Sequence, residues 1–262
     1  MIAIAPMTYG DAAAAEAIEA AAAGGFEAVG LRLVEPRRYL PEALRVPDAA
    51  GLSAAAAALR SAGLAVLEIE AAWLMPATDV RLLRPALAAG AFLGARHLVI
   101  NIDDPEPGRV RDRLGILTED AAAHGIRVML EFLPYTTVRD LAAAVALAHA
   151  AGLGVVVDAL HLARSGGDPA ELAAVPPGLV AHAQICDAPA EAPPFAELRA
   201  EAIGERRYPG EGALPLRALL RALPPGTPLS LEVPRSLDAG LSPRERAIRA
   251  GAAFRAWLAE AA

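Results

Sequence analysis

Short apolar runs rich in Val, Ile and Leu alternate with longer, Ala-rich, helix-prone segments along the whole chain. That alternation is the pattern of repeated β-α units wound around a parallel sheet. It predicts strands over residues 2–5, 28–33, 65–70, 97–102, 127–132, 154–158, 180–185 and 229–233. Helices are predicted over 11–23, 52–62, 79–93, 109–124, 137–151, 215–223 and 243–260. Several helical stretches are followed by Gly, as at Gly63 and Gly152, where a left-handed residue ends a helix before the next strand. Eight such units in about 250 residues fit one (β/α)8 TIM barrel of the α/β class, a single domain over 1–262, with its active site at the carboxyl ends of the strands. A doubly wound open sheet fits less well, because no Gly-x-Gly-x-x-Gly follows the first strand and no Gly-rich Lys loop is present. The stretch 187–212, with Pro189, Pro193, Pro194 and Pro209, is long for a connection and is expected to form a lid or binding loop.

Composition narrows the setting. Of 262 residues, 55% are hydrophobic and 21% charged, enough apolar surface for a sizeable core and too little charge for a disordered chain. The 24 basic side chains, all Arg, stand against 31 acidic ones for a net charge of −7. That balance argues against a nucleic-acid or anionic-membrane partner, since both need a concentrated positive field. No basic region precedes an apolar core in residues 1–6, so no signal peptide is expected. The longest charge-free stretch, 141–157, falls short of the roughly 18–20 residues of a bilayer span and is interrupted by Gly152 and Gly154. Cys186 is the sole cysteine, which excludes an intrachain disulfide and a thiolate metal cluster. A cytoplasmic location is the default expectation.

Four strands in the second half carry an oxygen-bearing side chain near the carboxyl end: Glu131, Asp158, Gln184 and Glu232. The first three are spaced 27 and 26 residues apart, one β-α unit each, so consecutive strands deliver ligand-type atoms to one rim. A carboxylate in an apolar strand must be paired, protonated or metal-bound. Three carboxylates at one rim would repel one another unless a cation neutralised them, and the oxygen-rich set suits Mn²⁺ or Mg²⁺, with Co²⁺ as an alternative. His161, three residues after Asp158, either fixes the loop or hydrogen-bonds a substrate oxygen and moves its proton. His182 reads as core, and His97, His124 and His149 as strand-start or helix-surface residues. Glu70 and Asn101, ending the third and fourth strands, are candidate substrate contacts, as is Arg32, which could pair with a carboxylate or phosphate. Trp73 could wall the pocket, and Trp257 belongs to the final helix as core.

Leu130-Glu131-Phe132, Val157-Asp158-Ala159-Leu160-His161, Gln184-Ile185-Cys186-Asp187, Tyr208-Pro209-Gly210-Glu211-Gly212 and Leu231-Glu232-Val233-Pro234 resemble the xylose isomerase-like TIM-barrel family of sugar phosphate isomerases/epimerases. The resemblance is strongest from Glu131 to Pro234. It implies that Glu131, Asp158, Gln184 and Glu232 hold one divalent ion, Mn²⁺ or Mg²⁺ with Co²⁺ or Zn²⁺ as alternatives, and that His161 and Arg207 reach the substrate. Gln184 departs from the epimerase pattern, where His is usual. The amide oxygen makes the site harder and less zinc-like and looks more like the dehydratase branch. The doublet Arg206-Arg207 leaves open which Arg faces the pocket.

The activity implied is that of an isomerase or epimerase of a small sugar, sugar phosphate or keto-polyol. It would act through a metal-stabilised enediolate, with Glu131 and Glu232 exchanging the proton and His161 assisting. A lyase of the 3-dehydroshikimate or inosose dehydratase type is the enzymatic alternative, and a metal-free sugar-binding barrel the non-enzymatic one. An endonuclease IV-like reading would need several zinc ions and more His than the 5 present. Barrels of this kind often pair, which leaves a homodimer open.

Overall fold

The computed structural model describes residues 1–35 and 44–261. Eight parallel strands close into a barrel in chain order: β1 (Ile2–Ile4), β2 (Ala28–Leu31), β3 (Ala65–Leu74), β4 (His97–Ile102), β5 (Arg127–Glu131), β6 (Gly154–Asp158), β7 (Val180–Ile185) and β8 (Leu229–Leu231), with β8 pairing β1. This is the predicted (β/α)8 TIM barrel. Strands such as β2 and β6 are buried at every position. Their outward side chains lie under helices and their inward ones fill the barrel, which is why they read as unbroken apolar runs.

The helices are α1 (Pro6–Tyr9), α2 (Ala14–Ala23), α3 (Ala49–Ala62), α4 (Arg84–Phe92), α5 (Pro107–Ala123), α6 (Leu141–Ala151), α7 (Ala159–Arg164), α8 (Leu198–Gly204), α9 (Leu216–Ala222) and α10 (Pro243–Ala261). Gly63 and Gly152 end α3 and α6 at φ 67° and 71°, a conformation costly for any residue with a Cβ. Side-chain caps shift two starts from the predicted positions. Asp48 accepts from the Gly51 amide, so α3 opens at Ala49, and Asp140 accepts from the Ala143 amide, so α6 opens only at Leu141. The predicted helix 79–93 divides into a 3₁₀ turn, Val80–Leu83, and α4, because Pro85 fits a first helical turn but not a helix interior. Strand β3 continues to Leu74 rather than stopping at residue 70: a register shift between Ile69 and Ala72 lets the strand re-pair with β4.

The main core lies between the barrel and its helices, while two small apolar clusters, Ala3-Ala28-Leu67 and Val99-Met129-Val156, are separate from it. Polar groups also occupy the barrel interior. Glu68 reaches across from β3 to Ser230 on β8 (2.9 Å) and to His182 on β7 (2.5 Å), and His97 stacks on His182 with centroids 5.3 Å apart. Burial opposes the charge on Glu68, yet the facing His182 keeps its carboxyl below the usual range. Among the described residues, no helix is long and apolar enough to cross a membrane.

Candidate active site

Parallel register decides which side chains share the rim. Asp158 on β6 lies directly beside Gln184 on β7. Glu131 closes β5, and Glu232 follows β8, its amide still bonded to the Ile185 carbonyl at 3.1 Å. Asp158 is also the N-cap of α7: its Oδ1 accepts the His161 amide at 2.9 Å, so one residue ends the strand and starts the helix that carries His161. Ligand-type oxygens of Glu131, Asp158 and Glu232 come within 4.8 Å of one another, all three buried.

The surrounding groups hold this set in place. Asn101 Nδ2 donates to Glu131 Oε2 at 2.8 Å. Gln184 Nε2 donates to Glu70 Oε2 at 3.3 Å, while Gln184 Oε1 is buried and has no hydrogen-bond partner among the described residues. Arg206 is buried between two of the carboxylates, with Nη1 2.6 Å from Asp158 Oδ2 and Nη2 3.2 Å from Glu232 Oε2. His161 Nε2 lies 3.3 Å from Arg206 Nη2 and 3.8 Å from Glu131 Oε1.

The electrostatics follow from burial and neighbours. Burial and the charges of Glu232 and Asp158 push the Glu131 carboxyl well above its ordinary value. Burial raises Glu232 to about 7, against the pull of Arg206. Asp158 is equally buried, but Arg206 more than offsets that and keeps its carboxyl below the usual range. Burial lowers His161 to about 4, so its imidazole is neutral near pH 7.

These residues fit a divalent ion. When ionised, three carboxylates and one guanidinium leave two negative charges, the amount such an ion cancels. Gln184, beside Asp158 on the neighbouring strand, leaves a buried, unpartnered oxygen as a candidate fourth hard donor. The sequence reading assigns all neutralisation to the cation; the structure gives part of it to Arg206.

The cavity at this rim has a volume of about 160 Å³, and Glu131, Glu232, His161, Glu70, Asn101 and Arg32 all line it. Arg207 does not. Its backbone bridges to Asp187, its guanidinium bonds the Glu211 carbonyl at 3.1 Å on the surface, and successive residues of an extended segment point opposite ways, so Arg206 turns inward. Asp187 shapes this segment: its carboxylate accepts the amides of Ala188, Gly210, Gly212 and Leu214 at 2.9–3.0 Å. At Gly212 a Cβ would come within 2.3 Å of the Ala188 carbonyl oxygen, which explains a glycine there. The 187–212 connection also contains α8, which contributes Arg199 to the cavity wall, and Tyr135 meets His161 edge-on with centroids 6.0 Å apart. Sequence reasoning missed Arg199 and Tyr135, neither of which sits in a telling motif. Arg206 had a signal, since clustered buried carboxylates call for a cation from the chain itself.

A family model described as xylose isomerase-like TIM barrel matches residues 18–260. No curated protein matches the chain in sequence. Among solved structures, the IOLI protein with a bound zinc atom superposes with TM-score 0.80 at 19% identity, covering 100% of this chain and 99% of that one. The D-allulose 3-epimerase from Methylomonas sp. in complex with D-allulose gives 0.72 at 16%, covering 100% and 96%. The probable 3-DHS dehydratase AsbF from Bacillus anthracis gives 0.75 at 13%, covering 97% and 98%. The chain spans 44% of the length of a xylose isomerase-like TIM barrel/4-hydroxyphenylpyruvate dioxygenase fusion protein, with TM-score 0.73 at 19% identity over 99% of this chain. At these identities the likeness is one of fold.

Proposed function

The chain belongs to the xylose isomerase-like TIM barrel family, and from that premise we propose that it is a divalent-metal-dependent isomerase or epimerase of a small polyhydroxylated carbonyl compound. The observation that carries this reading is the convergence of ligand oxygens of Glu131, Asp158 and Glu232 within 4.8 Å of one another. Those four residues would hold the ion, Mn²⁺ or Mg²⁺ by the hardness of the donors. When bound, the ion supplies Lewis acidity that polarises a carbonyl and makes the adjacent C–H acidic.

The chain's own groups do the rest. Glu131 ends β5 and Glu232 follows β8, three strands apart, and both line the cavity. One accepts the proton from the substrate carbon and the other returns a proton to the opposite face. Asn101 fixes Glu131, and Arg206 fixes Glu232 and Asp158. The neutral His161 imidazole donates or accepts a hydrogen bond to a substrate hydroxyl without adding charge. Trp73 and Tyr135 wall the cavity and limit water access. Gln184, which departs from the epimerase pattern that the sequence otherwise resembles, favours a lyase as the second reading, in which loss of the proton is followed by departure of a β-hydroxyl.

The test is incubation of small keto sugars with the Mn²⁺-loaded protein in deuterated water. Solvent deuterium at the carbon next to the carbonyl is the expected result, and Glu232→Gln should slow it by about 10²–10⁴-fold with the fold retained. A conjugated, ultraviolet-absorbing product from 3-dehydroshikimate or an inosose would select the lyase reading. Absence of both reactions, or exchange that Glu232→Gln leaves at the wild-type rate, would contradict the proposal.

A further inference from the structure

Among the described residues, most buried guanidinium groups are matched to carboxylates. Arg164 meets Glu201 through two contacts, at 2.6 and 2.8 Å, and Arg206 meets Asp158 and Glu232. Two arginines lining the rim cavity are not matched. Arg32, the residue after β2, places its charge near Glu70 and Glu232. Among the described residues it makes no ion pair or side-chain hydrogen bond, and its Nε is shut off from water without a partner. Arg199, an exposed residue of α8, lines the same cavity, and its guanidinium has no carboxylate partner among the described residues. Arg32 Nε is a charged donor kept from water without an acceptor, which is unfavourable, and an anion from outside the chain entering the cavity that both arginines line would complete it.

Charge counting agrees. Glu70, Glu131 and Glu232 line the cavity, and Asp158 lies against Arg206 with its ligand oxygen within 4.8 Å of those of Glu131 and Glu232; together they carry at most four negative charges. Arg32, Arg199 and Arg206 supply three positive ones, and the ion of the reading above adds two. At least one positive charge is left over, which a neutral sugar would not meet. The forked donors of guanidinium match the oxygens of a carboxylate or phosphate. At about 160 Å³ the cavity is below the usual range for organic ligands, so the anionic group must belong to a small molecule.

We propose that Arg32 and Arg199 form an oxyanion subsite, and that the substrate is a small hydroxy-carbonyl compound bearing a carboxylate or phosphate rather than a neutral sugar. The naming of the compound as a substrate rests on the isomerase or lyase reading; the anion site itself rests on the two arginines. The test is calorimetric titration of the full chain, with and without Mn²⁺, using glycolate, inorganic phosphate and, as the neutral control, glycerol. Saturable binding of at least one anion is expected, with glycerol inert, and Arg32→Gln and Arg199→Gln should each weaken the anion by about tenfold or more while Mn²⁺ affinity holds. Glycolate binding alone identifies a carboxylate, phosphate binding alone a phosphate ester.

Glycerol binding as tightly as both anions, or anion binding unchanged in both variants, would overturn the subsite. If Arg32→Gln does not fold, Arg199→Gln, on an exposed face of α8, decides the matter. Mn²⁺ binding without anion binding removes the subsite alone. Arginine-dependent anion binding without Mn²⁺ binding keeps the subsite and removes the metal-based reading.

Discussion

Arg206 has its guanidinium buried against Asp158 and Glu232, so replacing it with Met leaves two buried carboxylates without their counter-charge. Breaking a buried pair by removing one partner costs on the order of 3–5 kcal/mol. Urea unfolding of Arg206→Met should show a loss of that size, and Mn²⁺ should recover part of it by supplying the missing positive charge. The four rim residues were legible in the sequence because an acidic or amide side chain at the end of an apolar strand stands out against its neighbours. The choice between Arg206 and Arg207 was not legible. It depends on a backbone bridge between Asp187 and Arg207 that no local pattern announces. The sequence marks Glu70 and Asn101 as candidate substrate contacts, and both line the cavity, yet each also holds another rim residue, Gln184 and Glu131 respectively.

Among the elements, the connection after β7 owes its shape to one carboxylate. Asp187→Ala removes the acceptor for four loop amides. Hydrogen exchange should therefore quicken over residues 208–214 while β5 and β6 stay protected, and Arg206, on the same segment, should lose its fixed position. Asp104 works similarly where β4 meets α5: its buried carboxylate takes Arg109 at 2.5 Å and Arg113 at 3.0 Å. The hydrogen bond from Arg109 holds the Asp104 carboxyl below its ordinary value of 3.8. A group with a depressed pKa stabilises the fold above its unfolded value and loses that contribution as the pH falls through its folded one. Asp104→Asn should thus lower the thermal midpoint at pH 7, and the gap from wild type should close as both are taken below pH 3.8. A gap that persists in acid would show that the side chain acts by shape alone. Strands were legible at this scale because burial on both faces leaves a continuous apolar run. The short α8 was not, since only seven residues form it and prolines crowd the segment just before it.

For the whole molecule, the repeat of β-α units made the closed barrel legible, because eight strands with helices on one side have few other ways to bury themselves. The polar interior was hidden. Glu68, Ser230 and His182 meet across the barrel from strands distant in sequence, and His182 reads locally as an ordinary core residue. At the rim the same long-range convergence brings Glu131, Asp158 and Glu232 together, with Gln184 beside Asp158, as the proposed divalent-ion site. Chelator-stripped protein titrated with Mn²⁺, followed by calorimetry and thermal unfolding, tests it most directly. About one ion per chain and a stabilisation of about 2.7 kcal/mol at a hundredfold excess over Kd are expected, with affinity and stabilisation both reduced in Asp158→Asn. No binding and no change in midpoint with Mn²⁺, Mg²⁺, Co²⁺ or Zn²⁺ would contradict it.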